Sequence, residues 1–106
     1  MLAFKNCMTP LHCAAVLGYD EIALFLVNTA NADPNFQTAK RKLTAVQLAV
    51  LANKPEMIIE LLTKTNADPM LEDGEGQSLL DMVYKYIPSY VESFQVLLEN
   101  LSMHRL

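Results

Sequence analysis

Thr9-Pro10-Leu11-His12-Cys13-Ala14-Ala15 returns 35 residues later as Thr44-Ala45-Val46-Gln47-Leu48-Ala49-Val50. A more degenerate copy, Ser78-Leu79-Leu80-Asp81-Met82-Val83-Tyr84, follows after another 34. Downstream of the first two copies, Asn31-Ala32-Asp33-Pro34 is echoed by Asn66-Ala67-Asp68-Pro69, again 35 apart. Two motifs recurring at one offset mark an internal repeat, and a period in the mid-thirties is the size of one structural unit stacked on its neighbours.

Each copy has the chemistry of a helix start. Thr9, Thr44 and Ser78 stand where a hydroxyl accepts a bond from an orphan amide of the first turn. Pro10 takes the first helical position, where a missing N–H costs nothing. Leu11, Ala14 and Ala15 have the spacing of an apolar helix face, and the alanines let neighbouring helices approach closely. A second helix is predicted after a short turn, through Ile22, Leu24, Phe25, Leu26 and Val27 in the first unit and Met57, Ile58, Ile59, Leu61 and Leu62 in the second. Gly18 turns the chain between helices without strain. Asn53 holds the equivalent place, and Asn is the next best residue in a left-handed conformation. Asn31 and Asn66 are predicted to end the second helices in the same way.

Composition narrows the function. The chain has 106 residues, 52% of them hydrophobic and 19% charged, enough for a packed core in one domain. Its net charge of −4 and pI near 5.0 disfavour direct nucleic-acid binding, which needs clustered Lys and Arg. No apolar run reaches membrane-spanning length, and the first residues lack the pattern of a signal peptide. Cys7 and Cys13 are too few for a disulfide scaffold. These bounds describe a soluble intracellular domain.

The repeated T-P-L-H-x-A start resembles the ankyrin-repeat family, and the likeness covers nearly the whole chain. It implies an all-α solenoid of stacked helix–loop–helix units with β-hairpin-like fingers, here about residues 33–43 and 68–77. The implied division is a single array over 1–106: a partial finger at 1–7, repeats at 8–39 and 40–73, and a degenerate last repeat at 74–106. Ala30 and Thr65 are extra residues at the outer-helix exits. Pro88 interrupts the last repeat, whose outer helix is placed at Val91 to Leu98 with Phe94, Leu97, Leu98 and Leu101 turned inward.

The order of variants adds a finer likeness. A long finger, Asn35 to Leu43, precedes Asn53-Lys54-Pro55-Glu56 opening the second outer helix, and the chain closes on the degenerate repeat ending Leu97-Leu98-Glu99-Asn100-Leu101. This is similar to the last three repeats of IκB-type inhibitors of Rel/NF-κB transcription factors, a group that includes Cactus proteins and short viral mimics. The resemblance implies a non-enzymatic, cytoplasmic protein that docks on the dimerisation region of a Rel dimer, with nuclear presence also compatible. The earlier repeats and the acidic tail of that family lack counterparts here, so only the docking carries over. The rival reading is a scaffold or adaptor fragment of a longer ankyrin protein with unrelated partners.

The candidate partner-binding residues follow. Lys40, Arg41 and Lys42 make the first finger basic, while Glu72, Asp73 and Glu75 make the second acidic. The two tips read either as solvated loops in weak attraction or as a charge-patterned contact surface. Three basic residues fall short of a nuclear-localisation run of roughly five to eight. Phe36 is an aromatic anchor candidate on a finger. Tyr84 falls where the resemblance places an aromatic facing the partner, with packing inside its own repeat as the alternative.

Other chemistry has less support. His12, Cys7 and Cys13 fall one short of the four ligands of a zinc site, with His104 far off in sequence. His12 is read instead as a hydrogen-bonding residue that ties one finger to the next, with Gln47 and Asp81 in its place later on. A solenoid offers no enclosed cleft for a Cys13 nucleophile with its base, and no phosphate-binding glycine loop is present. No cofactor and no metal is expected. Met57 and Met82 are core residues.

The ends complete the expectation. The first unit is expected to expose Leu11, Ala14, Ala15 and Leu26, whereas Glu92, Ser93, Gln95 and Glu99 cap the far end with polarity. That N-terminal face is then covered by earlier repeats, by a partner or by self-association with a second copy. Three units are near the minimum for independent folding, so stability is expected to be marginal.

Overall fold

A computed structural model describes residues 8–105, with side chains as far as Leu101. The half-finger expected at 1–7, Cys7 within it, and the side chain of His104 lie outside the described residues. Among those described, six α-helices form three antiparallel pairs: α1 (Pro10–Leu17) with α2 (Asp20–Asn28), α3 (Ala45–Leu51) with α4 (Pro55–Lys64), and α5 (Leu79–Tyr86) with α6 (Val91–Arg105). A single 3₁₀ turn, Pro88–Tyr90, joins the last two. The inner helices α1, α3 and α5 stack in a row, and α2 packs outside against α4. The expected all-α stack is the observed one. The last helix starts at Val91 as expected but runs past Leu98 to Arg105, with Phe94 buried and Leu97, Leu98 and Leu101 against the core.

All three inner helices begin with the same reciprocal cap. The Thr9 hydroxyl accepts from His12 N–H while His12 Nδ1 accepts from Thr9 N–H; Thr44 with Gln47 and Ser78 with Asp81 repeat the exchange. Each cap satisfies two otherwise orphaned amides of the first turn. Gly18, Asn53 and Asn31 are left-handed, at φ 76, 56 and 61. Asn66 is not, contrary to expectation. There the Thr65 hydroxyl donates to Leu61 O and accepts from Ala67 N–H. A side chain thus closes α4, and no left-handed residue is needed.

The core fills the space between pairs, and Met57 and Met82 are in it, as expected. The exposed N-terminal face expected at Leu11, Ala14 and Ala15 is corrected, because all three are buried and Leu26 is half-buried. The equivalent residues show why. Leu11, Val46 and Leu80 form one row across the stack, and Ala15, Val50 and Tyr84 another. In the first two units both rows are buried, but Leu80 is half-buried and Tyr84 is 71% exposed. These positions therefore face the following unit, and it is the third that stands open. Among the described residues, the other end of the stack has a cleft of about 240 Å³ lined by Thr9, Pro10, Leu11, Leu26, Ala30, Ala32, Asp33 and Phe36. The counterparts of these eight residues 35 positions on, Thr44 to Leu71, are buried or half-buried. Ile22 and Phe25 add exposed apolar surface on α2.

Candidate functional site

The inter-helix fingers are built by local hydrogen bonds, with no strand among the described residues. In the first, Thr38 N–H donates to Leu43 O and Lys42 N–H returns to Thr38 O, both at 3.0 Å. In the second, Asp73 N–H donates to Gln77 O and Gly76 N–H to Asp73 O, at 2.9 and 3.1 Å. The hairpin likeness is thus confined to the closing residues of each loop. Lys42 and Gly76, 34 apart, are the left-handed residues of the two fingers, at φ 54 and 78.

Backbone bonds, more than charge, hold the two fingers together. Gly74 N–H donates to Arg41 O at 2.8 Å, and the Gln37 amide donates to both Lys42 O and Glu72 O. The Asn35 amide bridges to Asn66 O and to Asp68 N–H. The basic and acidic tips meet in one exposed ion pair, Arg41 to Glu75 at 4.0 Å. Such a pair contributes about 1 kcal/mol at most.

The inner row is tied to the fingers in register. His12 Nε2–H donates to Phe36 O at 2.9 Å, and Gln47 Nε2 donates to Leu71 O at the same distance. Asp81, third in the series, is exposed and uses its carboxylate on Ser78 N–H. Both nitrogens of His12 are thereby engaged in hydrogen bonds. Among the described residues no three His, Cys, Asp or Glu side chains are grouped to hold a metal. Burial lowers the His12 pKa, partly opposed by its bond to the Phe36 carbonyl.

The candidate residues are placed as follows. Lys40, Arg41, Lys42, Glu72 and Glu75 are exposed on the fingers. Asp73 is buried: its Oδ1 accepts from Glu75 and Gln77 N–H, both at 2.9 Å, so it shapes the second finger from within. Phe36 is 48% exposed, its ring tilted 6.1 Å from that of His12. Tyr84, on α5, is 71% exposed.

Residues 6–39 match the family model of the ankyrin repeat. This stretch is an ankyrin repeat. With the other helix pairs stacked on it at the same spacing, the fold is an all-α ankyrin-repeat solenoid. Among curated proteins nothing matches the chain. Ankyrin repeats are typically non-enzymatic protein-interaction units, so the matched stretch implies a protein-binding module. Among its described residues no helix is long and apolar enough to cross a membrane.

One part of the ankyrin surface escaped the reading of the sequence. Met8, Thr38, Lys40, Arg41, Leu43 and Leu48 line a cleft of about 220 Å³ at the base of the first finger. Leu43 precedes the Thr44 cap and Leu48 is the fourth residue of α3, the spacing of a hydrophobic staple. Met8 and Cys13 stand in the same relation to the Thr9 cap. That spacing is the signal from which the cleft could have been found.

Proposed function

We propose that this module docks on the dimerisation region of a Rel/NF-κB transcription factor and holds it inactive in the cytoplasm, in the manner of IκB-type inhibitors. The partner-facing residues are Phe36, Lys40, Arg41, Lys42, Glu72, Glu75 and Tyr84, with Asp73 holding the second finger in shape. The observation that carries the reading is Tyr84. It is 71% exposed at a position where the preceding units bury Ala15 and Val50. A large exposed aromatic buries area at little entropic cost when a partner arrives. The fingers add charges of both signs beside it, which suit orientation and association rate more than raw affinity.

Co-precipitation of a Rel homology region with the chain tests this. The wild type captures it, whereas Tyr84→Ala and charge reversal at Lys40, Arg41 and Lys42 reduce capture. No capture by the wild-type chain contradicts the inhibitor reading and favours a scaffold with unrelated partners.

A further inference from the structure

We propose that the cleft at the base of the first finger receives one aliphatic or aromatic side chain of an extended peptide whose flanking residues are acidic. The inference rests on the chain being a protein-binding module and names the kind of segment that this part of its surface takes.

Three observations converge. The apolar lining is Met8, Leu43 and Leu48, with the Thr38 hydroxyl turned inward to accept from Leu43 N–H at 3.1 Å. At about 220 Å³ the cleft is below the roughly 300–1,000 Å³ of pockets for whole small molecules, which matches a single anchoring side chain. Among the described residues Lys40 and Arg41 are the only charged ones of the lining, and Lys42 is adjacent in sequence. Three of the chain's eight Lys and Arg residues thus cluster at this finger in a protein of net charge −4.

The electrostatics choose the occupant. A basic segment would meet like charge at the cleft, and a neutral apolar one would leave its cations unmatched. Carboxylates beside the anchor pair with them as the side chain enters. Among the described residues neither Lys40 nor Lys42 is in an ion pair, and Arg41 has only the long, exposed contact to Glu75. That contact is weak enough for an incoming carboxylate to displace.

The test is fluorescence anisotropy with the full chain and a labelled peptide Glu-Glu-Leu-Glu-Glu, beside versions with Ser for Leu or Lys for Glu. The acidic leucine peptide binds, the serine version at least about tenfold more weakly, and the lysine version not at all. Lys40→Glu with Arg41→Glu abolishes binding, and added salt weakens it as exposed charges are screened. Leu48→Gln weakens binding about tenfold. Should that half-buried position disturb the fold, as urea titration would reveal, the exposed double variant decides instead. Glu75→Gln removes the competing carboxylate and tightens binding, the opposite sign to the other variants. Equal binding of the leucine and serine peptides, or binding indifferent to the Lys40/Arg41 reversal, overturns the proposal. Absence of peptide binding also overturns it, while capture of the Rel region through Tyr84 is judged by co-precipitation alone.

Discussion

His12 donates from Nε2 to the carbonyl of Phe36, 24 residues along the chain, at 2.9 Å. It does so while Nδ1 accepts from Thr9 N–H, so a neutral imidazole closes a helix cap and holds a finger together. Gln47 does both jobs in the next unit with an amide that cannot titrate. The pair is a natural control for one interaction with and without a proton equilibrium.

His12→Gln should therefore fold with stability within about 1 kcal/mol of the wild type, because both bonds have an amide equivalent. His12→Ala should cost about 1–3 kcal/mol by leaving Phe36 O and Thr9 N–H without their partner. The pH dependence separates the variants further. The His12 pKa is lowered in the folded chain, chiefly by burial, so the unfolded chain binds the proton first. Its contribution to stability is complete above the ordinary value of 6.5 and falls as pH drops through and below it. Urea unfolding at pH 7.5 and 5.5 should show this loss in the wild type, and a smaller one in His12→Gln.

Lys42 and Gly76 share a left-handed conformation on successive fingers, one with a side chain and one without. A Cβ on Gly76 would meet no atom within 4 Å, so Gly76→Ala should cost about 1 kcal/mol from backbone conformation alone. Lys42→Gly should do the reverse. Relief of left-handed strain is offset in part by the entropy of glycine in the unfolded chain, for a net gain under about 1 kcal/mol. Gly74→Ala acts differently, because its Cβ would lie 3.1 Å from Arg41 O and press on the bond joining the fingers. Chemical denaturation of the three variants tests these signs.

Tyr84 and Val50 are equivalent in register but opposite in surroundings. Val50→Ala removes two buried methyl groups and should cost about 2 kcal/mol. Tyr84→Ala should change stability by no more than about 0.5 kcal/mol, since little of the side chain is covered. A large stability loss in Tyr84→Ala would assign the residue to packing.

Three stacked pairs are near the minimum for independent folding, which leaves little surplus stability. The chain should melt below about 70 °C, near the top of the mesophile range. Phe25→Glu, which copies Glu60 at the equivalent place, should leave that midpoint within a few degrees. Differential scanning calorimetry measures both.

How far the fold could be read ahead depends on how local each signal is. Thr9, Thr44 and Ser78, Pro10, Gly18, Asn53 and Asn31 act within one turn of backbone, and the structure places each as the spacing implied. Thr65 was legible only as an extra residue, because a threonine hydroxyl can replace a left-handed asparagine without any change in pattern. Lys42 carries no signal for its conformation, which is set by the hydrogen bonds of the closed finger. Leu11, Ala14 and Ala15 were assigned to the wrong face, since the periodicity of one helix marks an apolar side but not which neighbour covers it. The exposure of Tyr84 depends on the unit that would follow, and that of Asp73 on a loop that wraps around its carboxylate. Lys40 and Arg41 were visible as charges; the apolar cleft beneath them was written in Leu43 and Leu48 on either side of a helix cap.

The central claim is that partners meet the exposed fingers and the Tyr84 side of α5. Hydrogen–deuterium exchange of the full chain, with and without a Rel homology region, measures this directly. Added protection at residues 36–42, 72–75 and 80–86, with the outer faces of α2 and α4 unchanged, is the expected result. Protection confined to α2 and α4, or none at saturating partner, would contradict it.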